Sequence, residues 1–208
     1  MSLRRRPLTR AVPPARKRVS ESSMESPDVV ELRDGSCIVV RPVQPDDRER
    51  FVRGFERFGP ESRYRRFLGF KKRLSEDELR FFTEVDHHDH EAIGAHDAYT
   101  GDGVGVARYV RGADHSAAEA SVAVVDAWQG RGVGRVLLDR LAARARAEGV
   151  ERFVAALLPE NRAMRRLFER LGPVTARHAD GVLELEIALR DEAASAATAG
   201  PVAPRAPA

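Results

Sequence analysis

Residues Gln129 to Leu138 read QGRGVGRVLL, with glycines at 130, 132 and 134 interleaved by Arg131, Val133 and Arg135. Each glycine costs an ordinary helix about 1 kcal/mol, so the run marks a place that needs bare backbone. It stands between a strand-like stretch and a helical apolar pattern. There the first N–H groups of the helix have no internal acceptor, and the helix dipole adds partial positive charge. Such a mouth suits an anion, phosphate above all, and Arg131 and Arg135 add cationic rims. The spacing excludes two familiar loops. A G-x-G-x-x-G register started at Gly130 ends on Arg135, and one started at Gly132 ends on Leu137. No Gly-Lys-Ser/Thr follows either. What remains is Gln129-x-x-Gly132-x-Gly134, a turn expected to cradle a phosphate or pyrophosphate through the amides of residues 130–135.

Other residue clusters carry weaker signals. "DHHDH" (86–90) packs three histidines and two aspartates together. Consecutive loop residues rarely converge on a tetrahedral metal, so a solvated helix-to-strand turn is expected and no metal is assigned. Arg162, Arg165 and Arg166 crowd one helix as a solvated face. Trp128 is expected to pack over the strand–helix junction, and Tyr64 and Tyr109 are the hydroxyl candidates.

The elements that must position the glycine turn are legible from periodicity. "CIVVRPV" (37–43) is a β-branched strand. Asp46, with Glu49 three residues on, is expected to cap a helix carrying Phe51, Phe55 and Phe58, stopped by Gly59-Pro60. "PESRYRRF" forms a second helix. Ser75-x-x-Glu78 is a capping box that opens a third, running to about Val85. "EAIGAHDAY" and "GVGVARYVR" form a hairpin across "TGDG", and 119–125 is a further strand. A helix over 132–148 places Val133, Leu137, Leu141 and Ala145 at i+4 intervals and ends at Gly149. A strand at "VERFVAALL", a helix from Asn161 to Leu171 and two strands around "HADG" complete an α/β sheet with helices on its faces.

Composition bounds the rest. With 208 residues, 42% of them hydrophobic, one domain with a real core is expected. It is assigned to residues 28–190, between a basic arm (1–27) and an Ala/Pro-rich tail (191–208), both read as disordered. The net charge is +3, but residues 1–18 hold seven cations and no acid, which leaves −4 for residues 19–208. The basic excess therefore belongs to the arm, and nucleic-acid binding is not expected. No apolar run approaches the roughly 20 residues of a membrane span, the arm lacks a signal-peptide core, and Cys37 is the single cysteine. A cytoplasmic location is expected. The Arg/Ala/Gly/Val-rich composition suggests a high-GC bacterial genome, and a homodimer is left open.

Taken together, the strand–turn–helix and the downstream segment "LLPENRAMRRLFERLG" resemble the GNAT superfamily of acyl-CoA-dependent N-acyltransferases, as does "VVRPVQPDD" upstream. The resemblance spans about residues 36–187. "PESRYRRFLG", "VDHHDHEA" and "VGVARYVR" further resemble the acetyltransferase domain of bacterial Pat-type protein lysine acetyltransferases. The resemblance implies an α/β GNAT fold with a mixed, mostly antiparallel sheet of six to seven strands and about four helices. It implies acetyl-CoA as cosubstrate, with pyrophosphate on Gln129, Gly130, Arg131, Gly132, Val133, Gly134 and Arg135. Pantetheine would lie along Val122, Ala123 and Val124, and Asn161 would stand near the sulfur. Glu119 is implied as general base, with a backbone N–H near Val124 facing the oxyanion. The acceptor is a primary amine, favoured as a protein lysine. A small amine and a non-catalytic acyl-CoA sensor are the alternatives. Two departures stand out. A base five residues before Asn161 is closed off by Ala156, and the tyrosine that many members carry seven residues after the Asn is Phe168 here.

Overall fold

The structure, a computed structural model, describes residues 28–189. The arm and tail expected at 1–27 and 191–208 lie outside the described residues. Strands β1 (Asp28–Glu31) and β2 (Cys37–Pro42) are followed by helices α1 (Arg48–Glu56), α2 (Pro60–Phe67) and α3 (Glu76–Thr83). Strands β3 (His90–Asp97), β4 (Gly103–Arg111) and β5 (Ala117–Val124) lead into helix α4 (Val133–Ala147). Strand β6 (Arg152–Leu157), helix α5 (Arg162–Glu169) and the hairpin β7 (Val174–Ala179)–β8 (Val182–Ala188) close the chain.

The eight strands form one sheet in the order β1-β2-β3-β4-β5-β6-β8-β7. Every neighbouring pair is antiparallel except β5–β6. Among the described residues, eight strands and five α-helices exceed the six to seven strands and about four helices expected. The additional strand is β1, whose Val29 is 63% exposed. A strand that buries so little shows no apolar alternation to read.

Helix α4 covers one face of the sheet with Leu137, Leu138, Leu141, Ala142 and Ala145, all buried in the main core with Ile93, Ala107, Tyr109 and Val122. Helices α1 and α3 cover the opposite face. The Ser75–Glu78 box is present, with the Ser75 N–H donating to Glu78 Oε2 at 2.8 Å and the Glu78 N–H to Ser75 Oγ at 3.2 Å. The start of the first helical stretch differs from expectation. A 3-10 turn at Pro45–Asp47 precedes α1, and Asp47, not Asp46, is the anchoring acid. The Gln44 N–H donates to Asp47 Oδ2 at 2.8 Å, and Arg41 and Arg50 both bond the same carboxylate. Burial opposes the Asp47 charge, yet the bonds from Arg41 and Gln44 hold its carboxyl down at about 2. Among the described residues no helix is long and apolar enough to cross a membrane.

Candidate active site

Parallel strands β5 and β6 pair over only three positions, Ala117–Arg152, Ala118–Phe153 and Glu119–Val154, and then diverge. Strand β5 keeps its β4 partner along its whole length, to Gly105–Val124. Its other edge therefore has no strand partner beyond Glu119, although Val124 O on that edge accepts from the Gln129 amide. Backbone parity says which groups face the gap. The Val125 N–H donates to Val104 O at 2.9 Å, on the β4 side, while Ser116 O accepts from Arg152 on the β6 side. Alternation along a strand then directs the polar groups of Ala120, Val122 and Val124 into the cleft. Ala123 spends its own on β4, opposite Val106, and contributes a wall rather than a bonding edge. A strand edge open in this way can pair with an extended, amide-bearing ligand.

The glycine turn sits at the end of this edge. Gly130 and Gly132 have φ of +76° and +105°, values that favour glycine. Gly132 is the N-cap of α4 and has no side chain with which to cap it. The first bonds back to it come from the Arg135 N–H (3.0 Å) and the Val136 N–H (3.1 Å). The N–H groups of Gly130, Arg131, Gly132, Val133 and Gly134 donate to no other group among the described residues. Gly134 serves a different purpose. A Cβ there would meet Leu167 Cδ1 at 3.2 Å and Val124 Cγ2 at 3.6 Å, so its bareness lets the first turn of α4 pack between β5 and α5.

The remaining candidate residues are placed less directly. The Gln129 amide turns back from the loop and donates to Val124 O at 3.0 Å, with Ser62 Oγ and Asp126 Oδ1 each at 3.2 Å. Arg131 lies over the Trp128 ring, 4.9 Å from its centroid, and faces Asp34 at 3.5 Å. Arg135 is exposed and faces Asp139. Asn161 caps α5, its Oδ1 accepting from the Met164 N–H at 3.2 Å, and its amide N–H groups have no acceptor among the described residues. Phe168 is 1% exposed, so the position where the resemblance leads one to look for a tyrosine points into the core. Tyr109 is also buried, its hydroxyl donating to His88 O at 3.0 Å. Burial, then Glu91 and Glu148, raise its pKa. It faces α4 and is remote from the reaction side. Tyr64, 38% exposed, lies against Phe70.

Glu119 is exposed and is the last β5 residue paired with β6, at the point where the cleft opens. Its side chain shares a sheet face with Ser121, Ala123 and Arg108, the last paired with Ser121 across β4–β5. Sequence reasoning passed over Ser121 and Arg108, because only strand parity puts them beside Glu119. A cavity of about 80 Å³ lies on this face beneath α1 and α2. Its lining includes Phe51, Phe55, Phe67, Arg66, Arg108 and His96. Arg108 is 4% exposed and bonds Phe81 O, Phe82 O and His90 Nε2, with its guanidinium 4.5 Å from the Phe82 ring. Burial first, and Arg66 second, bring it down to about 9, so it is cationic at neutral pH. His90 and His96 are both lowered to about 4, chiefly by burial and next by Arg108 and Arg41 respectively; both are neutral near pH 7. Neither ring nitrogen of His96 has a partner among the described residues.

The histidine run is less solvated than expected. His87 Nδ1 lies 2.8 Å from Glu91 Oε1 and His88 Nδ1 2.6 Å from Glu148 Oε2, and Arg144 of α4 bonds Glu91 at 3.2 Å. The run ties the start of β3 to the end of α4. Arg162, Arg165 and Arg166 are exposed.

The family described as Acetyltransferase (GNAT) family matches residues 48–172. The Pat acetyltransferase of Mycolicibacterium smegmatis is 37% identical over 163 residues, covering 78% of this chain and 49% of that protein. The chain thus spans about half the length of that relative. An acetyltransferase of Pseudomonas aeruginosa is 33% identical over 154 residues, covering 73% of this chain and 83% of the other. The crystal structure of the GNAT domain of S. lividans PAT superposes with a TM-score of 0.72 at 37% identity, covering 78% of this chain and 97% of that one.

Proposed function

The chain belongs to the GNAT acetyltransferase family, close to its Pat-type members, and from that premise we propose that it transfers an acetyl group from acetyl-CoA to a primary amine, a protein lysine. The observation that carries this reading is one juxtaposition: unpartnered amides at the mouth of α4, beside the open edge of β5, with Glu119 where the cleft begins. The catalytic domain is taken as residues 28–190, acting in the cytoplasm without a metal.

The residues present fit coenzyme A. The amides of residues 130–134 suit a pyrophosphate, and Arg131 and Arg135 stand at the rim. Val122 and Val124 offer the backbone edge for pantetheine, and Asn161 retains its amide N–H groups. When bound, acetyl-CoA supplies an electrophilic thioester. The protein must supply a neutral amine. A lysine with a pKa near 10.4 at pH near 7.4 is about three units away, a cost of about 4 kcal/mol. Glu119, as a solvent-facing carboxylate, accepts that proton directly or through water. The N–H groups of Val122 and Val124 in the open edge are the donors available to a thioester carbonyl oxygen. With Phe168 in the core, thiolate departure draws on no side-chain hydroxyl from that position.

The test is free-thiol release from acetyl-CoA with a panel of lysine-bearing proteins and peptides alongside small amines. Release that depends on a lysine acceptor supports the reading. Coenzyme binding with no release above background, across the whole panel, would point instead to an acyl-CoA sensor.

A further inference from the structure

The face that carries Glu119 holds two guanidinium groups without a carboxylate bonded to either. Among the described residues, Arg66 and Arg108 enter no ion pair, and the Arg66 side chain makes no hydrogen bond; its guanidinium lies 5.3 Å from the Phe67 ring centroid. Arg108 uses part of its donor fork on Phe81 O, Phe82 O and His90. Both line the same cavity, among Phe51, Phe55 and Phe67. Arg108 is buried and Arg66 half-buried, and a cation withdrawn from water is ordinarily matched by an acid, because desolvation without a partner is expensive. Burial lowers the Arg66 pKa, and the Glu119 carboxylate opposes that shift. His96, 8% exposed, adds two unpartnered ring nitrogens to the same cavity. The cavity lining also holds Asp47, but Arg41 and Arg50 already bond its carboxylate; the groups left unpaired are Arg66 and Arg108, with Glu119 exposed beside them, a balance that disfavours an approaching ammonium unless the acceptor brings an anion of its own.

We propose that the acceptor carries a carboxylate close to its reacting amine, and that Arg66, backed by Arg108, receives that carboxylate while Glu119 faces the amine. The inference rests on the amine-acetylation reading. At about 80 Å³, against the roughly 10–15 Å³ that admits one water, the cavity has room for the end of one short acidic side chain. The carboxylate comes either from an aspartate or glutamate beside a target lysine, or from the α-carboxylate of a free amino acid. Arg66 is a specificity residue in this scheme; the proton moves to Glu119 as before.

The experiment compares matched acceptors by kcat/KM on the full chain. One pair is a lysine peptide flanked by glutamate and the same peptide flanked by glutamine. The other is free lysine and 1,5-diaminopentane. A charged hydrogen bond to Arg66 predicts a preference of about tenfold to a hundredfold for the carboxylate member, weakening as salt rises. A preference confined to the peptide pair identifies the neighbouring side chain as its source, and one confined to the small-molecule pair identifies the α-carboxylate. In Arg66→Gln the ratio falls towards one, while Arg66→Lys keeps part of it. A general loss of folding moves both members of a pair together, so the ratio is insensitive to a merely structural role. A ratio near one in the wild type for both pairs, or a ratio unchanged in Arg66→Gln, overturns the proposal. If no amine releases thiol, the acetylation reading fails separately. Calorimetric titration of the glutamate peptide into wild type and Arg66→Gln then decides the subsite alone, equal affinity refuting it.

Discussion

Gly132→Ala isolates the mouth of α4. At φ +105° no atom stands within 4 Å of the added Cβ, so the substitution creates no clash and its cost is purely conformational. An L-residue in this region loses about 1–2 kcal/mol. In a domain of this size each kcal/mol lowers Tm by about 2–4 °C, so a fall of roughly 2–8 °C follows. Gly149 provides the control. It ends α4 at φ +78°, with nothing within 4 Å of its Cβ position, and Gly149→Ala carries a similar strain at the opposite end of the same helix. The two variants differ in what the strain can reorient. Relaxing φ at residue 132 swings the amides of Val133 and Gly134 away from a common focus, whereas relaxing residue 149 moves nothing near the cleft. Losing one or two charge-assisted backbone bonds, at about 1.5–3 kcal/mol each, raises the coenzyme A Kd at least tenfold. Thermal unfolding and isothermal titration with coenzyme A on both variants provide the readout. Comparable Tm losses with weakened binding only in Gly132→Ala are expected. Unaltered affinity in Gly132→Ala, or an equal loss in Gly149→Ala, would refute the placement of the pyrophosphate.

Three further outcomes are expected. Glu119→Gln lowers kcat by about 10²–10⁴ with little change in coenzyme affinity; a large affinity loss measured by titration would show that the residue binds rather than transfers a proton. Phe168→Tyr does not raise kcat, because its hydroxyl enters a fully buried site. An unpartnered buried hydroxyl costs about 1–3 kcal/mol, which a Tm measurement reads directly. Stability falls on acidification through the window from about 6.5 to about 4. The unfolded chain binds protons at His90 and His96 near 6.5, whereas the folded chain resists until about 4, so their contribution is complete above 6.5 and is lost as pH drops to 4. Tm against pH should slope less steeply in this window in His96→Phe, and an unchanged slope would contradict the neutral, unpartnered assignment of that ring.

Much of the site was legible because its signals are local. The Gln129–Arg135 turn, the Ser75–Glu78 box, the Gly149 stop and the i+4 apolar row of α4 each depend on residues within a turn or two of one another. From these alone the chain specifies a strand, an anion-binding helix mouth and a helix packed on a sheet. Glu119 could be proposed only through family likeness, since a lone glutamate on a strand has no distinguishing local pattern. β1 was missed because its four residues bury little, and the sheet pairing that defines it comes from β2. Asp46 was preferred to Asp47 because capping spacing ignores Arg41 and Arg50, whose arrival selects the buried acid.

The sequence by itself determined that bare amides open a helix behind a strand, because glycine's freedom at positive φ and the orphan donors of a first turn are properties of short peptide stretches. Only the tertiary structure decided that β5 parts from β6 after Glu119, that Val122 and Val124 rather than Ala123 face the gap, and that Arg66, His96 and Arg108 converge on one cavity. Those facts depend on strand register and on which face each alternate side chain takes. Register is fixed by contacts between segments tens of residues apart, and a one-residue slip would reverse every one of them.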